Sequence, residues 1–222
     1  DNQTADVVRR LFSEKIGAAI TRIDFIVGGH NNRVFQVVAG EQHRYAVKLS
    51  FDRIPDRHRR LIREFQTIQY LWDRGIRAIP EPVAADHQSS AAVYRFVDGQ
   101  KITRGTISAG DIQQASSFAA SLDALAATTE NDTLPPASEA CTQMTDLLAC
   151  LEGRLVRLQP ALSGSSARIA CADFLTNEFL PFWGTVKQWF FSAISVHNAV
   201  ICEPFARSEQ TINPSDFGFH NT

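Results

Sequence analysis

The sequence predicts an α+β fold in two lobes, with strands gathered in the first half and helices in the second. Three observations carry this. Residues 22–50, RIDFIVGGHNNRVFQVVAGEQHRYAVKLS, are rich in Val, Ile, Phe and Tyr, and Gly28-Gly29 and Ala39-Gly40-Glu41-Gln42 interrupt them, the pattern of three short antiparallel strands. A single helical pattern, from about Pro55 to Arg74, is embedded among the strands. After Gln100 the patterns are helical only. Strands and helices segregated in this way argue against a doubly wound sheet. The boundary falls near Asp98, giving an antiparallel-sheet lobe over 1–98 and a mainly helical lobe over 99–222.

Each element has its own signal. From Thr4 to Ile20, the residues Val7, Val8, Leu11, Phe12 and Ile16 recur at a helical period. In the helix from Pro55, the proline suits the first turn and Gly75 the stop. AIPEPVAAD is a proline-stiffened connection into a strand, and SAAVYRF, 90–96, is a further strand ended by Asp98-Gly99. Ser108-Ala-Gly-Asp111 resembles a capping box that opens a helix to about Ala127. A second helix is expected over 138–158, and a third from Ala172 to Ile194, kinked at Pro181.

The composition is that of an ordinary globular chain: 222 residues, 44% hydrophobic, 21% charged, net charge −2. Nothing in it calls for a nucleic-acid or membrane partner, and no apolar run reaches the roughly 18 residues of a membrane span. The N-terminus lacks the apolar core of a signal peptide, and a start at Asp1 rather than Met leads to the expectation that preceding residues were trimmed or are not included. Cys141, Cys150, Cys171 and Cys202 show no metal-ligand spacing and read as reduced thiols of a cytosolic protein.

Four features bear on chemistry. Gly28-Gly29 lies between two expected strands, where backbone N–H groups can face a phosphate, although a glycine pair there also makes a hairpin turn. In YAVKLS, Tyr45, Val47 and Leu49 share one face of a strand, and Ala46, Lys48 and Ser50 share the other. Lys48 is either a phosphate-binding charge or a solvent-facing lysine. On a helical wheel from Leu61, at about 100° per residue, Glu64 falls near 300°, between Leu71 at about 280° and Ile68 at about 340°. A carboxylate set into an apolar stripe needs a partner, and Lys48 is the nearest candidate. Finally, Asp216 and Asn221 in PSDFGFHN offer a proton acceptor and an oxygen ligand on one tight loop.

Between Asp52 and Arg77, seven arginines face four acids, a surplus of three that reads as a solvated helix face or a dock for an anion. EFLPFWGTVKQWFF, 178–191, reads as core or as the wall of an acceptor pocket.

In this order the four features resemble the protein-kinase-like fold, and most closely the aminoglycoside phosphotransferase and choline-kinase-like family of small-molecule kinases. VGGHNNRVFQV, YAVKLS, IREFQTIQYLWDRGI followed by IPEPV, and AVYRFVDGQKI carry the resemblance, over about 22–104 and again over 213–221. It implies an enzyme that uses ATP and Mg²⁺ to phosphorylate a hydroxyl of a small molecule in the cytoplasm. Lys48 would meet the α- and β-phosphates, held by Glu64, with Gly28 and Gly29 in the loop above. Backbone around Arg95, Phe96 and Val97 would meet adenine. Asp216 would be the catalytic aspartate and Asn221 a magnesium ligand. On this reading the letters DFG at 216–218 are a coincidence of neighbours.

Two departures qualify the resemblance. Pro214-Ser215 stand where the family has His-Gly before the aspartate. The family also places a second, magnesium-binding aspartate after the asparagine, and the sequence ends at Thr222 before such a residue. The expectation is therefore either a truncated sequence or a protein without that ligand. The second of these would make it a nucleotide-binding protein of the same fold without catalysis. Nothing between Lys101 and Asn213 resembles a protein-kinase activation loop.

Overall fold

The structure, a computed structural model, describes residues 2–26, 33–41, 43–50, 55–100, 102, 105–128, 134, 136–137, 140–158, 166–197, 201–214 and 217–218. The chain forms two compact units, Asp1–Ala137 with Ile212–Thr222, and Ser138–Thr211.

In the first unit, helix α1 (Asn2–Leu11) runs into a wide turn, Phe12–Ile16, closed by a bond from the Gly17 N–H to the Phe12 carbonyl at 2.8 Å. Gly17 has φ +69, a left-handed conformation that glycine adopts without strain, and it ends the helix. Strands β1 (Ile20–Ile26), β2 (Arg33–Ala39), β3 (His43–Leu49), β4 (Pro82–Asp86) and β5 (Ala91–Arg95) make one antiparallel sheet in the order β1-β2-β3-β5-β4. Helix α2 (Pro55–Asp73) lies between β3 and β4 in sequence and stops before Gly75, whose φ is +87.

Both faces of the sheet are used. Val8, Leu11 and Phe12 pack with Val37, Tyr45, Val47, Leu49 and Val93. On the opposite face, Leu61 of α2 packs with Ala92 and Tyr94, with Phe65 and Ile68 beside them. The alternation read in the sequence is thus realised: odd-numbered residues of β3 point toward α1 and even-numbered ones toward α2. Helix α3 (Ala109–Thr128) opens with the expected box, Ser108 and Asp111 bonding reciprocally, at 2.8 Å to the Ser108 N–H and 3.2 Å from the Asp111 N–H. Leu122 and Ala126 of α3 join Tyr70 and Leu71 of α2 and Ile212 in a third core cluster.

The second unit holds α4 (Met144–Leu158), α5 (Ser166–Phe174), a wide turn at Leu175–Phe179, and α6 (Leu180–His197). Two boundaries differ from expectation. The second helix starts at Met144 rather than near 138, because the Asp146 carboxylate accepts the N–H groups of Thr142 and Gln143 at 2.8 and 3.1 Å and so caps the helix there. The third helical stretch begins at Ser166, six residues before Ala172, and the wide turn falls just before Pro181, which cannot donate a backbone bond. In the aromatic stretch read as core or as the wall of an acceptor pocket, Phe182 and Trp189 are 64% and 70% exposed and so are not core, while Phe179, Trp183 and Phe190 are partly buried. A few helices form too few layers to cover an aromatic face within this unit.

Three aspartates give the fold a predictable acid sensitivity. The Ser89 hydroxyl holds the Asp86 carboxyl below its usual range, the Ser108 hydroxyl does so for Asp111, and the Thr142 N–H does so for Asp146. Each therefore binds its proton less readily folded than unfolded. Their stabilisation is complete above the ordinary carboxylate range, near about pH 4, and is lost as pH falls through and below it. The melting temperature should fall between about pH 5 and pH 3, and Asp111→Asn with Asp146→Asn should make that slope shallower. An unchanged slope in the double variant would remove these caps as its source.

Candidate active site

Strand β3 presents Ala46 and Lys48 on the face covered by α2, because residues two apart share a face. Its other face is anchored by Tyr45, Val47 and Leu49, all 5% exposed or less, so the strand cannot rotate to hide the lysine elsewhere. Helix α2 turns Glu64 toward the same place, since Leu61, Ile68 and Leu71 commit that stripe to the interior. The two meet: Lys48 Nζ donates to Glu64 Oε1 at 2.8 Å and to Oε2 at 2.6 Å. Their side chains are 25% and 34% exposed. An ion pair that open adds little stability. What it provides is a compact positive charge held in one place on the face of the central strand.

A third group converges there that the motifs did not reveal. Tyr94 of β5 donates its hydroxyl to Glu64 Oε1 at 3.3 Å. Burial, then the Glu64 charge, then that hydrogen bond push its phenol far above the usual range, so it remains a donor. The only sequence signal for it is its place two residues from Ala92, on the α2 face of β5. Ser50 Oγ, on the Lys48 face of the chain, is buried without a hydrogen-bond partner among the described residues.

The segment after β5 is fixed by neighbours. The Arg95 N–H donates to the Glu81 carbonyl at 2.8 Å and the Phe96 N–H to the Arg44 carbonyl at 3.1 Å, so neither amide is left for a ligand. Val97 is 63% exposed and its N–H has no acceptor among the described residues. Arg44 lies over the Phe96 ring at 5.3 Å and grips both carboxylate oxygens of Asp98. Arg95 Nε donates to Glu81 at 3.4 Å. These contacts hold a short extended edge with one open backbone donor among the described residues.

Gly28, Gly29, Asp216 and Asn221 lie outside the described residues. The two glycines fall between β1 and β2, neighbours in the sheet. Around Asp216, the chain is anchored on both sides: Ile212 joins the cluster of α2 and α3, and the Phe217 ring sits 5.6 Å from that of Phe118. Both flanks thus belong to the same compact unit as Lys48. No cluster of three or more metal-ligating acids, histidines or cysteines occurs among the described residues. The four cysteines are free thiols. No helix among the described residues is long and apolar enough to cross a membrane. A cavity of about 400 Å³ lies away from Lys48, between α1 and β1, lined by Arg9, Ile23, Phe25 and Phe35 among others.

A sheet lysine held by a glutamate of the following helix is the nucleotide-lobe arrangement of protein-kinase-like folds. The chain belongs to the phosphotransferase enzyme family, whose family model matches residues 22–183. That match takes in the helical stretch after residue 104, which the quoted motifs did not cover, and ends before 213–221. No curated protein sequence matches the chain. Among solved structures, the GDP complex of aminoglycoside 2'-phosphotransferase-IIIa is similar, with 15% identity over 82% of this chain and 59% of that one and a TM-score of 0.49. A type I macrolide 2'-phosphotransferase has 16% identity over 58% and 44%, with a TM-score of 0.42. The Rio2 kinase of Chaetomium thermophilum, in an ADP/Mg²⁺-phosphoaspartate complex, has 18% identity over 54% and 40%, with a TM-score of 0.40. The chain thus spans between 40% and 59% of the length of these proteins.

Proposed function

We propose that the protein transfers the γ-phosphate of ATP to a hydroxyl of a small molecule, in the cytoplasm. The observation that carries this reading is the Lys48–Glu64 contact, two hydrogen bonds of 2.8 and 2.6 Å on the face of an antiparallel sheet, in a member of a phosphotransferase family. In this reading 1–98 binds nucleotide and 99–222 carries the catalytic loop at 213–221. Lys48 offsets charge on the α- and β-phosphates, and the Gly28-Gly29 segment lies over them. Adenine meets the backbone at Arg95–Val97, with the Val97 N–H as its donor. Asp216 orients the acceptor hydroxyl and takes its proton as the bond to phosphorus forms. Asn221 would hold Mg²⁺, which supplies charge neutralisation on the phosphates. The chemistry is then mainly positioning and electrostatics.

The test is nucleotide binding together with turnover. ATP at about 100 times its Kd should stabilise the protein by about 2.7 kcal/mol. Lys48→Met should weaken ATP binding by about tenfold or more, the worth of one charged hydrogen bond. Equal ATP affinity in that variant would remove Lys48 from the phosphates. A second reading, a nucleotide-binding protein without catalysis, is favoured by Pro214-Ser215, which leave the catalytic loop without the family's bracing histidine. ATP binding that is indifferent to Mg²⁺ and yields no ADP across a panel of small alcohols would support it.

A further inference from the structure

We propose that Tyr94 is a positioning residue: its hydroxyl latches Glu64, and through Glu64 sets where the Lys48 ammonium stands for a nucleotide phosphate. The inference rests on the reading of Lys48 as the phosphate-binding group. It starts from strand register. In the β3–β5 pairing, Ala46 stands opposite Tyr94 and Lys48 opposite Ala92. Lysine and tyrosine are therefore diagonal neighbours on the face that α2 covers, each opposite an alanine.

Glu64 reaches this face from a different element, on a side chain with several rotatable bonds. Lys48 alone cannot fix it, because a lysine ammonium carries its donors on a flexible stem and a pair this open exchanges with water. Tyr94 is fixed: it is 5% exposed and its ring packs on Phe65 at 5.8 Å and on Leu61. Its hydroxyl meets Oε1, the same oxygen that receives Lys48 at 2.8 Å, so one carboxylate oxygen is held from two strands. A phenylalanine would fill the same space, and a buried hydroxyl is costly unless it has a partner. Glu64 is that partner.

The test compares Tyr94→Phe with the wild type in the full chain. The ring and its packing remain, so the melting temperature should stay within about 2 °C. Acylation of Lys48 by acetic anhydride at fixed pH, located by mass spectrometry, should become about twofold faster or more as the pair loosens. Affinity for ATP should weaken by about two- to tenfold, in KM more than in kcat. In a Glu64→Ala background, Tyr94→Phe should change neither quantity. Unchanged labelling, or an equal effect with Glu64 absent, overturns the latch. Faster labelling with unchanged ATP affinity overturns the phosphate role of Lys48 while the latch itself stands.

Discussion

Asp216→Asn is expected to lower ATP-dependent phosphoryl transfer by about 10²- to 10⁴-fold while leaving ATP affinity within about threefold. The expectation follows from what asparagine keeps and what it loses. The amide has the size of the carboxylate and can still orient a hydroxyl through its oxygen. It cannot take a proton, and that loss acts in the transition state and not on bound nucleotide. The mutation should therefore lower kcat and kcat/KM together, with KM for ATP little changed. Ile212 and Phe217, which anchor the flanks of this segment, are untouched, so the melting temperature should hold. Turnover of ATP at the wild-type rate would take Asp216 out of the chemistry.

Most of the sheet could be read because its period is local. Val, Phe and Tyr alternate along 33–49, and the structure buries Val37, Tyr45, Val47 and Leu49 on one face as that alternation requires. Glu64 was legible for the same reason, as a charge inside a helical stripe. The distance between Glu64 and Lys48 is not a property of either element. It depends on how α2 seats on β3 and β5, and only coordinates supply the 2.8 and 2.6 Å contacts.

Tyr94 shows where sequence reading stops. β5 inserts between β3 and β4, against chain order, and the Ala46–Tyr94 register follows from that insertion. No spacing in the sequence encodes it. The start of α4 was missed for a related reason. Its cap is an aspartate reaching back to two backbone amides ahead of the helix, and Thr142 stands four residues before it, with Gln143 at the three-residue spacing where a capping box has its Ser or Thr. Phe182 and Trp189 fit a helical pattern equally well whether they are covered or bare. Their exposure depends on what surrounds the helix and not on the helix.

Phe12→Ala should destabilise the first unit by about 3–5 kcal/mol, the usual cost of deleting a fully buried aromatic ring. Phe12 is 0% exposed, meets the Tyr45 ring edge-on at 5.2 Å, and belongs to the cluster that seats α1 on the sheet. It opens the wide turn that Gly17 closes, so α1 cannot slide to fill the void without breaking that turn. For a chain of this length the melting temperature should drop by roughly 6–20 °C. Phe12→Leu, which keeps most of the volume, should cost well under half as much. The link to the site runs through β3. Tyr45, Val47 and Leu49 fasten one face of that strand to the cluster, and Lys48 projects from the other. Loosening the cluster reduces the fraction of molecules with the strand in place and leaves the geometry of those that remain folded. Affinity for ATP measured some 20 °C below the lowered transition should therefore match the wild type, and near the transition it should weaken in step with unfolding. A constant affinity deficit at all temperatures would mean that α1 acts on the Lys48 site directly, through the strand, and not through stability alone.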